Sequence, residues 1–598
     1  TGVQTCALPI SGLWFCNGSD WGTHAAVDYY GIPVTLDQHT NNGITGYRIT
    51  TKVNGADRRL GFGAYTDTPA SSSENDIWTF RPVTVTGKTN VYNIVVYDKE
   101  DDVLAYNPDG ATDRFKNWNT VSKETNVPAS FYNDPYAQWM LVTEAQRDAL
   151  LSGANPGNLV EANYKMVNPA LSNIYPEKSA WAYFGTTQGT GPFNWENKWV
   201  WQQTGAGHFA HITSGESTEA MGDQRRCHNY GMEFYDFQTF RLSQTLTGLQ
   251  PGTYRVGVQA FYRAGGSDAA AESKASLYAT GTETVRTALP RPKDFIQKNV
   301  SVTRTTESGT TTANADLDYL PGVQNGQRID NPAQALEAFE SGMFLTEVEA
   351  FVGEDGTLTI GVEQPEDAGA GYGASWVVID NFRIDYMGPY QPATVGSVQW
   401  ASFATAASVD FSENGYLRNN STKAVTGNQA IMGYKVVDTT DRYVILEEVS
   451  DATEETGLLI NAAEGTNFIP LKSTTGTTHT DNMLQVSDGT VTGDYETTHS
   501  IYVLSNKNGL GFYPVKSSVT IPKGKVYLLD DTYSSGGAVK EYMLLGLGDD
   551  ETGLSPIGHE ATSQPVYDLS GRKVADRVDA GKLPKGIYTV KGRKMIVR

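Results

Sequence analysis

The sequence has few of the residues from which covalent and metal-bound frameworks are built. Its 598 residues include three cysteines and eight histidines. Cysteines this sparse form neither a disulfide scaffold nor a zinc knuckle, so a small stapled domain is not predicted. Long apolar runs are missing as well, since none approaches the ~18 to 20 residues that a membrane-spanning helix requires.

Catalytic signatures are also missing. The motifs G-x-S-x-G, H-E-x-x-H and G-x-x-x-x-G-K do not occur, and no G-x-G-x-x-G opens a predicted helix. The 68 acidic residues offer many carboxylate pairs, but no motif selects two that would flank a glycosidic bond. A non-enzymatic role is therefore the working hypothesis, and enzyme activity stays an open question.

Positive charge is scarce, with 46 Lys and Arg against 68 Asp and Glu and a formal net charge of −22. A nucleic-acid-binding surface needs clustered Lys and Arg, so no nucleic acid partner is predicted. Residues 565–598 are the exception, because nine basic residues against three Asp give this segment +6 and leave about −28 for the rest.

Glycine and tyrosine, by contrast, are plentiful, at 61 and 32 residues. Together with frequent Thr and short runs of alternating apolar residues, they are typical of β-rich extracellular modules. The length favours about three to five domains. We therefore predict an all-β, multidomain chain.

Residues 12–142 show strand patterns in GYRITTKV, DIWTFRPV, NVYNIVVYD and AQWMLV. Two of these runs contain a tryptophan, Trp78 in DIWTF and Trp139 in AQWML, about 60 residues apart. This recurrence resembles the lobes of ricin-like β-trefoils. The preceding segment, TGVQTCALPI, resembles a translated sequencing adapter, so residues 1–11 are expected to be an artefact that replaces the first strand and any signal peptide.

A linker helix is predicted at 143–158, where Thr143 and Gln146 form a capping box. Residues 159–388 follow as the module with the clearest strand and turn patterns. They contain two predicted hairpins, RLSQTLTGLQPGTYRVGVQAFYRAG and VGEDGTLTIGVEQ, with Pro251-Gly252 and Asp355-Gly356 at the turns. In the first, Tyr254, Val256, Val258, Ala260 and Tyr262 should share one face.

Three stretches of this module, MVNPAL, QTLTGLQPGTYRVGVQAFYR and WVVIDNFRIDY, resemble the galactose-binding-like jelly rolls of secreted carbohydrate-active proteins. The resemblance implies a β-sandwich and a glycan ligand. Residues 389–549 resemble an accessory all-β module of surface proteins in bacteria that use type IX secretion, and residues 550–564 are predicted to be a polar linker.

Candidate ligand contacts lie in the aromatic stretch WAYFGTTQGTGPFNWENKWVWQQ and in EFYDF and FYRAG. Flat indole rings suit the C–H face of a sugar, and polar groups nearby suit its hydroxyls. Trp199 and Trp201 would share one face of a strand. The alternative is that the aromatic residues are core and the polar ones solvated. The full candidate set is Trp181, Tyr183, Trp195, Trp199, Trp201, Glu233, Tyr235 and Arg263.

Asp380 is the most unusual residue of the closing strand. Its even-numbered neighbours are apolar, so an uninterrupted strand would bury its carboxylate at a cost of several kcal/mol. The resemblance implies a structural calcium ion here, whose hard oxygen ligands would include this carboxylate. The alternatives are a β-bulge or a partner arginine. The even-numbered apolar residues are Trp376, Val378, Phe382, Ile384 and Tyr386.

The C-terminal segment, PVYDLSGRKV followed by KGIYTVKGRKMIVR, is predicted to form a small antiparallel β-unit. It resembles the sorting domain of type IX secretion substrates, which implies export to the cell surface or medium and contact with the export machinery. The matching residues are Tyr567, Asp568, Gly571, Arg572, Val574, Gly586, Ile587, Tyr588, Val590, Gly592 and Lys594.

The leading hypothesis is a secreted or surface-attached, non-enzymatic carbohydrate-binding protein. Two alternatives stay open. One is a structural or adhesin role, in which the modules are spacers and protein contacts dominate. The other is an accessory C-terminal part of a glycoside hydrolase or lyase whose catalytic domain lies upstream.

Overall fold

The computed structural model of the chain separates into two compact units, Thr1–Gly388 and Pro389–Arg598. The structure describes residues 4–9, 14–17, 25–28, 34–41, 44–53, 56–62, 76–86, 90–106, 121–166, 171, 189–190, 199–204, 208–212, 231–236, 238–264, 272–295, 302–306, 309–313, 329, 334–335, 338–339, 342–365, 375–440, 443–498, 500–507, 509–530, 543–547, 566–568, 572–575, 586–590 and 593–597.

The described residues confirm the all-β prediction. Their sheets are antiparallel except for one parallel pair in the second unit, Tyr443–Leu446 with Leu544–Leu547. A short helix, α1 (Glu144–Ala149), has the predicted capping box, since the Thr143 hydroxyl accepts from the Gln146 N–H and the Gln146 side chain accepts from the Thr143 N–H. No helix within the described ranges has the length and apolar character that a membrane crossing requires.

The N-terminal part of the first unit is built on a closed ring of six strands, β1, β4, β5, β7, β8 and β11, each paired with the next and the last with the first. The sequence predicts that the segment 1–11 replaces the first strand of this module. In the structure, Gln4–Pro9 forms β1 and pairs within the ring. The adapter origin of residues 1–11 stays a prediction. The strands are β1 (Gln4–Pro9), β2 (Trp14–Asn17), β3 (Ala25–Asp28), β4 (Val34–Asn41), β5 (Ile44–Val53), β6 (Ala56–Arg59), β7 (Ile77–Pro82), β8 (Val91–Val96), β9 (Lys99–Tyr106), β10 (Val121–Glu124) and β11 (Trp139–Thr143).

Trp78 and Trp139 occupy equivalent places in this ring. Both side chains are fully buried in one apolar cluster. The Trp78 Nε1–H donates to the Leu60 carbonyl at 2.8 Å, and the Trp139 Nε1–H donates to the Leu104 carbonyl at 2.9 Å. The recurrence seen in the sequence therefore reflects one local structure that is used twice.

The rest of the first unit is a sandwich of two six-stranded sheets, together with a separate two-stranded pair, Val302–Thr306 with Gly309–Ala313. Sheet A has the order β15-β16-β25-β18-β23, with β12 beside β25, and sheet B has the order β13-β14-β17-β24-β19-β20. The strands are β12 (Val160–Glu161), β13 (Gly189–Thr190), β14 (Trp199–Thr204), β15 (His208–Ile212), β16 (Gly231–Tyr235), β17 (Thr239–Leu246), β18 (Gly252–Arg263), β19 (Ser276–Thr280), β20 (Thr284–Ala288), β21 (Val302–Thr306), β22 (Gly309–Ala313), β23 (Leu345–Val352), β24 (Leu358–Gln364) and β25 (Trp376–Gly388).

The two predicted hairpins are wrong, although their strands and turns are present. β17 and β24 lie in sheet B, whereas β18 and β23 lie in sheet A, so each turn carries the chain from one sheet to the other. The two turns meet, because the Leu249 N–H donates to the Gly356 carbonyl at 3.0 Å. Period-two alternation indicates a strand with one apolar face but does not identify the strand with which it pairs. The predicted shared face of β18 is confirmed, since all five of its residues line the core between the sheets.

The predicted single apolar face of β25 is also wrong, because a β-bulge divides the strand. β25 has one extra residue opposite the Gly257–Gln259 segment, and Asn381 adopts a left-handed φ of 49°. One extra residue moves every later side chain to the other face of the sheet. The residues before the bulge, Trp376 and Val378, face an outer aromatic cluster, and those after it, Phe382, Ile384 and Tyr386, face the core.

The second unit begins with a β-rich body that has two apolar clusters. Its sheets have four strands in the order β26-β35-β29-β30, nine in the order β27-β34-β31-β32-β40-β38-β37-β39-β36, and two in the pair β28-β33. The strands are β26 (Tyr390–Val395), β27 (Trp400–Ala404), β28 (Val409–Asp410), β29 (Gly415–Arg418), β30 (Val425–Gln429), β31 (Met432–Thr439), β32 (Tyr443–Val449), β33 (Asp451–Ala452), β34 (Gly457–Asn461), β35 (Gly465–Pro470), β36 (Leu484–Val486), β37 (Ile501–Ser505), β38 (Gly511–Pro514), β39 (Val526–Leu529) and β40 (Met543–Leu547).

Asp451 should make the stability of this body depend on pH. Burial disfavours its charge, but the Lys472 ammonium at 2.6 Å and the Thr477 N–H at 2.6 Å outweigh burial and lower the pKa of Asp451 to about 2. Because the folded pKa lies below the ordinary 3.8, the ionised group stabilises the fold above pH ~4 and loses this effect as the pH falls through about 2. With solvent screening near the surface, we expect about 1 to 2 kcal/mol at neutral pH.

Urea unfolding of the wild type and of Asp451→Asn, followed from pH 7 to pH 2, measures this contribution. The difference in unfolding free energy should shrink as the pH falls. Glu413→Gln changes an exposed carboxylate of the same body and should show no such trend. A difference for Asp451→Asn that stays constant with pH would contradict the assignment.

The C-terminal segment forms the small antiparallel β-unit that the sequence predicts. Its four strands have the order β42-β41-β43-β44. They are β41 (Val566–Asp568), β42 (Lys573–Ala575), β43 (Gly586–Val590) and β44 (Arg593–Val597). Residues 550–564, the predicted linker, lie outside the described residues.

Candidate ligand-binding site

Three of the predicted ligand contacts meet at one end of sheet A. Tyr235 ends β16 and Arg263 ends β18, and both are register partners of Trp376, the first residue of β25. Glu233 lies two residues before Tyr235 on β16. Side chains on directly opposed residues of antiparallel strands lie on the same face, so the fold brings these four residues together although they span residues 233–376.

Glu233 is a buried member of this group and hydrogen-bonds to the indole. Its carboxylate accepts a hydrogen bond from the Trp376 Nε1–H at 2.8 Å, and the two residues are 2 % and 4 % exposed. A charged acceptor makes this hydrogen bond stronger than one between neutral groups. Glu233 therefore orients the tryptophan through this hydrogen bond and is itself shielded from solvent.

Arg263 lies over the ring of the indole. Its guanidinium lies 4.5 Å from the centre of the Trp376 ring, a cation–π contact. Its Nη1 also donates to the Ile329 carbonyl at 2.5 Å. Arg263 and Tyr235 are both partly exposed, so they are the members of the group that a ligand in solvent can touch.

An aromatic cluster supports the group from the outer face of sheet A. Phe261 meets the Trp376 ring edge to face, with the ring centres 5.3 Å apart, and packs beside Phe339 and Phe344. The segment that carries the last two rings is held down by Gln259, whose Nε2 donates to the carbonyls of Phe339 and Met343. The Trp376 ring is therefore fixed in place by its neighbours.

The tryptophan candidates of the aromatic stretch are described only in part. Trp199 and Trp201 lie on β14, where their partners in β17 are Gln244 and Leu242, and both partners are buried. Trp181, Tyr183 and Trp195 lie outside the described residues. The proposed tryptophan platform stays a prediction.

Asp380 lies at the β-bulge, which is one of the alternatives that the sequence left open. Its side chain is 1 % exposed, and its Oδ1 accepts from the Asn381 N–H at 2.6 Å. Calcium takes six to eight oxygen ligands, and no three His, Cys, Asp or Glu come together as a metal site in the described part of the chain. The described surroundings of Asp380 do not by themselves supply a calcium ligand set, and the calcium hypothesis stays untested.

Trp376 is the residue of this group that the sequence did not single out as a site residue. The alternation of β25 places Trp376 on one strand face with apolar residues, because alternation does not reveal a bulge. The signal that the sequence offers is a tryptophan at the start of a strand in which Asp380 stands among apolar residues. Which side of the sheet Trp376 faces depends on the bulge, and therefore on the pairing of β25 with β18.

Chemically, the group combines a fixed indole, a buried carboxylate, and a phenol and a guanidinium at the rim. Because the indole and the carboxylate are buried, the Tyr235 ring and the Arg263 guanidinium are the groups that can contact the C–H face and the hydroxyl groups of a small polar ligand.

No family model matches the chain, and no curated protein matches it. Among solved structures, the chain is similar to a carbohydrate-binding module, TmCBM61, whose structure holds β-1,4-galactotriose. The similarity covers 31 % of this chain and 86 % of that chain, at 15 % identity and a TM-score of 0.14. At this TM-score the similarity carries no inference about the ligand of the present chain.

Proposed function

We propose that the chain is a secreted or cell-surface, non-enzymatic carbohydrate-binding protein, and that the sandwich of residues 159–388 carries the binding. The observation behind this proposal is the convergence of Glu233, Tyr235 and Arg263 on Trp376. The sequence pattern predicts polar ligand contacts for these three residues. The closed ring of residues 4–143 and its two equivalent tryptophans support the β-trefoil interpretation of the N-terminal module.

Fixed geometry is the physical reason to expect useful affinity at this site. Binding a sugar orders the side chains that contact it, at about 0.5 to 1.5 kcal/mol for each flexible one. Trp376 and Arg263 are already held by Glu233, Phe261 and Ile329. Most of this ordering cost is therefore met by folding, before the ligand arrives.

Glycan-array binding of the full chain tests the proposal. We expect wild-type binding to at least one neutral glycan, and Tyr235→Ala and Arg263→Gln should each weaken it about tenfold, the loss of one good contact. Trp201→Ala in the same experiment tests the tryptophan platform. Tyr443→Phe alters a tyrosine of the second unit and should bind like the wild type.

Unfolding temperatures of the variants separate lost contacts from lost folding. Binding that survives both Tyr235→Ala and Arg263→Gln in folded protein would exclude this site. Absence of binding to any glycan would favour the structural or adhesin alternative.

We also propose that residues 565–598 direct export by the type IX machinery. The support is the motif resemblance, the +6 charge against an acidic body, and a compact four-stranded sheet of its own. In a host with this machinery, removal of residues 565–598 should leave the protein in the periplasm, as measured by cell fractionation and immunoblotting. Normal export of the shortened chain would refute the proposal, and a mutant of equal length with the segment scrambled controls for chain length.

A further inference from the structure

The outer face of sheet B is a second candidate surface. On β17, apolar residues at even positions such as Leu242 and Leu246 face the core, so Arg241, Ser243 and Thr245 occupy the outer face. The outer face of sheet A, in contrast, is covered by the aromatic cluster around Phe339 and Phe344. Among the described residues, β17 presents hydroxyl groups on this face, with Arg241 near one end of the strand.

Two arginines on this face share one buried carboxylate. Glu363 is 1 % exposed, and its Oε1 accepts from the Arg286 Nε–H at 2.7 Å while its Oε2 accepts from the Arg241 Nε–H at 2.8 Å. The Arg241 Nη2 also donates to Oε2. The carboxylate thus lies between two guanidinium groups and holds them in one geometry.

Tyr278 supports this arrangement from the sheet itself. Its ring lies against Gly361, where an added Cβ would stand 2.8 Å from the Tyr278 Cε1, so the absence of a side chain at residue 361 makes room for the ring. The Arg241 guanidinium lies 5.2 Å from the ring centre. Arg286 is the direct register partner of Tyr278 on the neighbouring strand.

Each of the two guanidinium groups keeps N–H donors that these contacts do not engage. Arg241 and Arg286 are 45 % and 49 % exposed, and among the described residues the Nη1 of Arg241 and both Nη groups of Arg286 donate to no protein acceptor. Two guanidinium charges and one carboxylate leave a local charge of +1 in a protein of −22. A planar anion such as a carboxylate matches the donors of a guanidinium fork.

We propose that this face binds an acidic polysaccharide through uronate carboxylates held by Arg241 and Arg286, with the Ser and Thr hydroxyls beside them contacting the sugar. The inference rests on the proposed glycan-binding function for its ligand class, but its site lies on the other sheet from Tyr235 and Arg263. Charge complementarity identifies the occupant, because Glu363 offsets one of the two guanidinium charges and a neutral glycan would leave the remaining +1 without an anionic partner.

Binding of the full chain to polygalacturonate, compared with methyl-esterified polygalacturonate, tests the inference. Both polymers have the same backbone, and esterification removes the negative charge. We expect binding to the free acid that weakens between about 50 and 300 mM salt, as screening of exposed charges requires, and markedly weaker binding to the ester.

Single variants assign the binding to the two arginines. Arg286→Gln and Arg241→Gln should each lower the affinity for the free acid about tenfold or more, and each leaves the other arginine to pair with Glu363. Arg383→Gln is the matched control, because Arg383 is 53 % exposed and pairs with the buried Asp385 on sheet A. It should bind polygalacturonate like the wild type.

A triple variant, Arg241→Gln/Arg286→Gln/Glu363→Gln, removes all three charges while keeping groups that hydrogen-bond, so it tests the site without a stranded buried charge. Failure of wild-type binding to the free acid, or unchanged binding by the folded triple variant, overturns the inference. Neutral-glycan binding through Tyr235 and Arg263 would survive either result, so the two proposals fail separately.

Discussion

Trp78→Ala is expected to unfold the six-stranded ring of the N-terminal module. The indole is fully buried, and its removal leaves a cavity that costs about 3 to 5 kcal/mol. The Leu60 carbonyl also loses its donor at 2.8 Å, at about 1 to 3 kcal/mol more. Since whole domains are stable by about 5 to 15 kcal/mol, the variant should be largely unfolded in this module. Hydrogen exchange of residues 34–142 measures the result.

Trp139→Ala provides an internal comparison, because Trp139 occupies the equivalent place with its own carbonyl acceptor. The two substitutions should cost the same within about 1 kcal/mol, whereas Tyr136→Ala, at a tyrosine that is 42 % exposed, should change stability by no more than about 0.5 kcal/mol. Equal effects of Trp78→Ala and Tyr136→Ala would refute the assigned role of the tryptophan.

Trp376→Ala should have the largest effect on the sandwich. It removes a buried ring that Phe261, Arg263 and Glu233 all contact. Truncation of a buried tryptophan costs about 3 to 5 kcal/mol, and the Glu233 carboxylate loses a charge-assisted hydrogen bond in a buried place. We expect a total on the order of 5 kcal/mol, measured by urea unfolding with hydrogen exchange to assign the transition to residues 159–388.

A milder pair of variants isolates the hydrogen bond. Trp376→Phe keeps most of the ring volume but removes the donor to Glu233. It should cost less in a Glu233→Gln background, because a neutral amide is easier to bury than a carboxylate that has lost this donor. A coupling of about 1 kcal/mol in this double-mutant cycle would support the assigned contact, and additive effects would refute it.

Much of the strand structure was predictable because it depends on local chemistry. The even-numbered face of β18 follows from period-two alternation, and the capping box at Thr143 follows from two residues three apart. The two buried tryptophans of the ring were visible as a repeated pattern. Each of these features involves residues that are near in sequence, so no knowledge of pairing was needed.

The assignment of each strand to a sheet, and the residues that form the candidate site, could be determined only from the tertiary structure. The turn at Pro251-Gly252 has the same sequence signal whether the strands that flank it pair or lie in different sheets. The burial of Glu233 depends on Trp376, which is 143 residues away. Of the eight ligand candidates chosen from the sequence, Glu233, Tyr235 and Arg263 form one group, and no local pattern separated them from Trp199 and Trp201.

The sequence by itself determined that this is an acidic, all-β chain with a basic C-terminal β-unit, because composition and alternation are properties of short segments. Only the tertiary structure decided which face each residue of β25 occupies, because one extra residue opposite Gly257–Gln259 reverses the alternation. The tertiary structure also decided that Arg241 and Arg286 both pair with Glu363, because strands distant in sequence become neighbours only when the sheet forms.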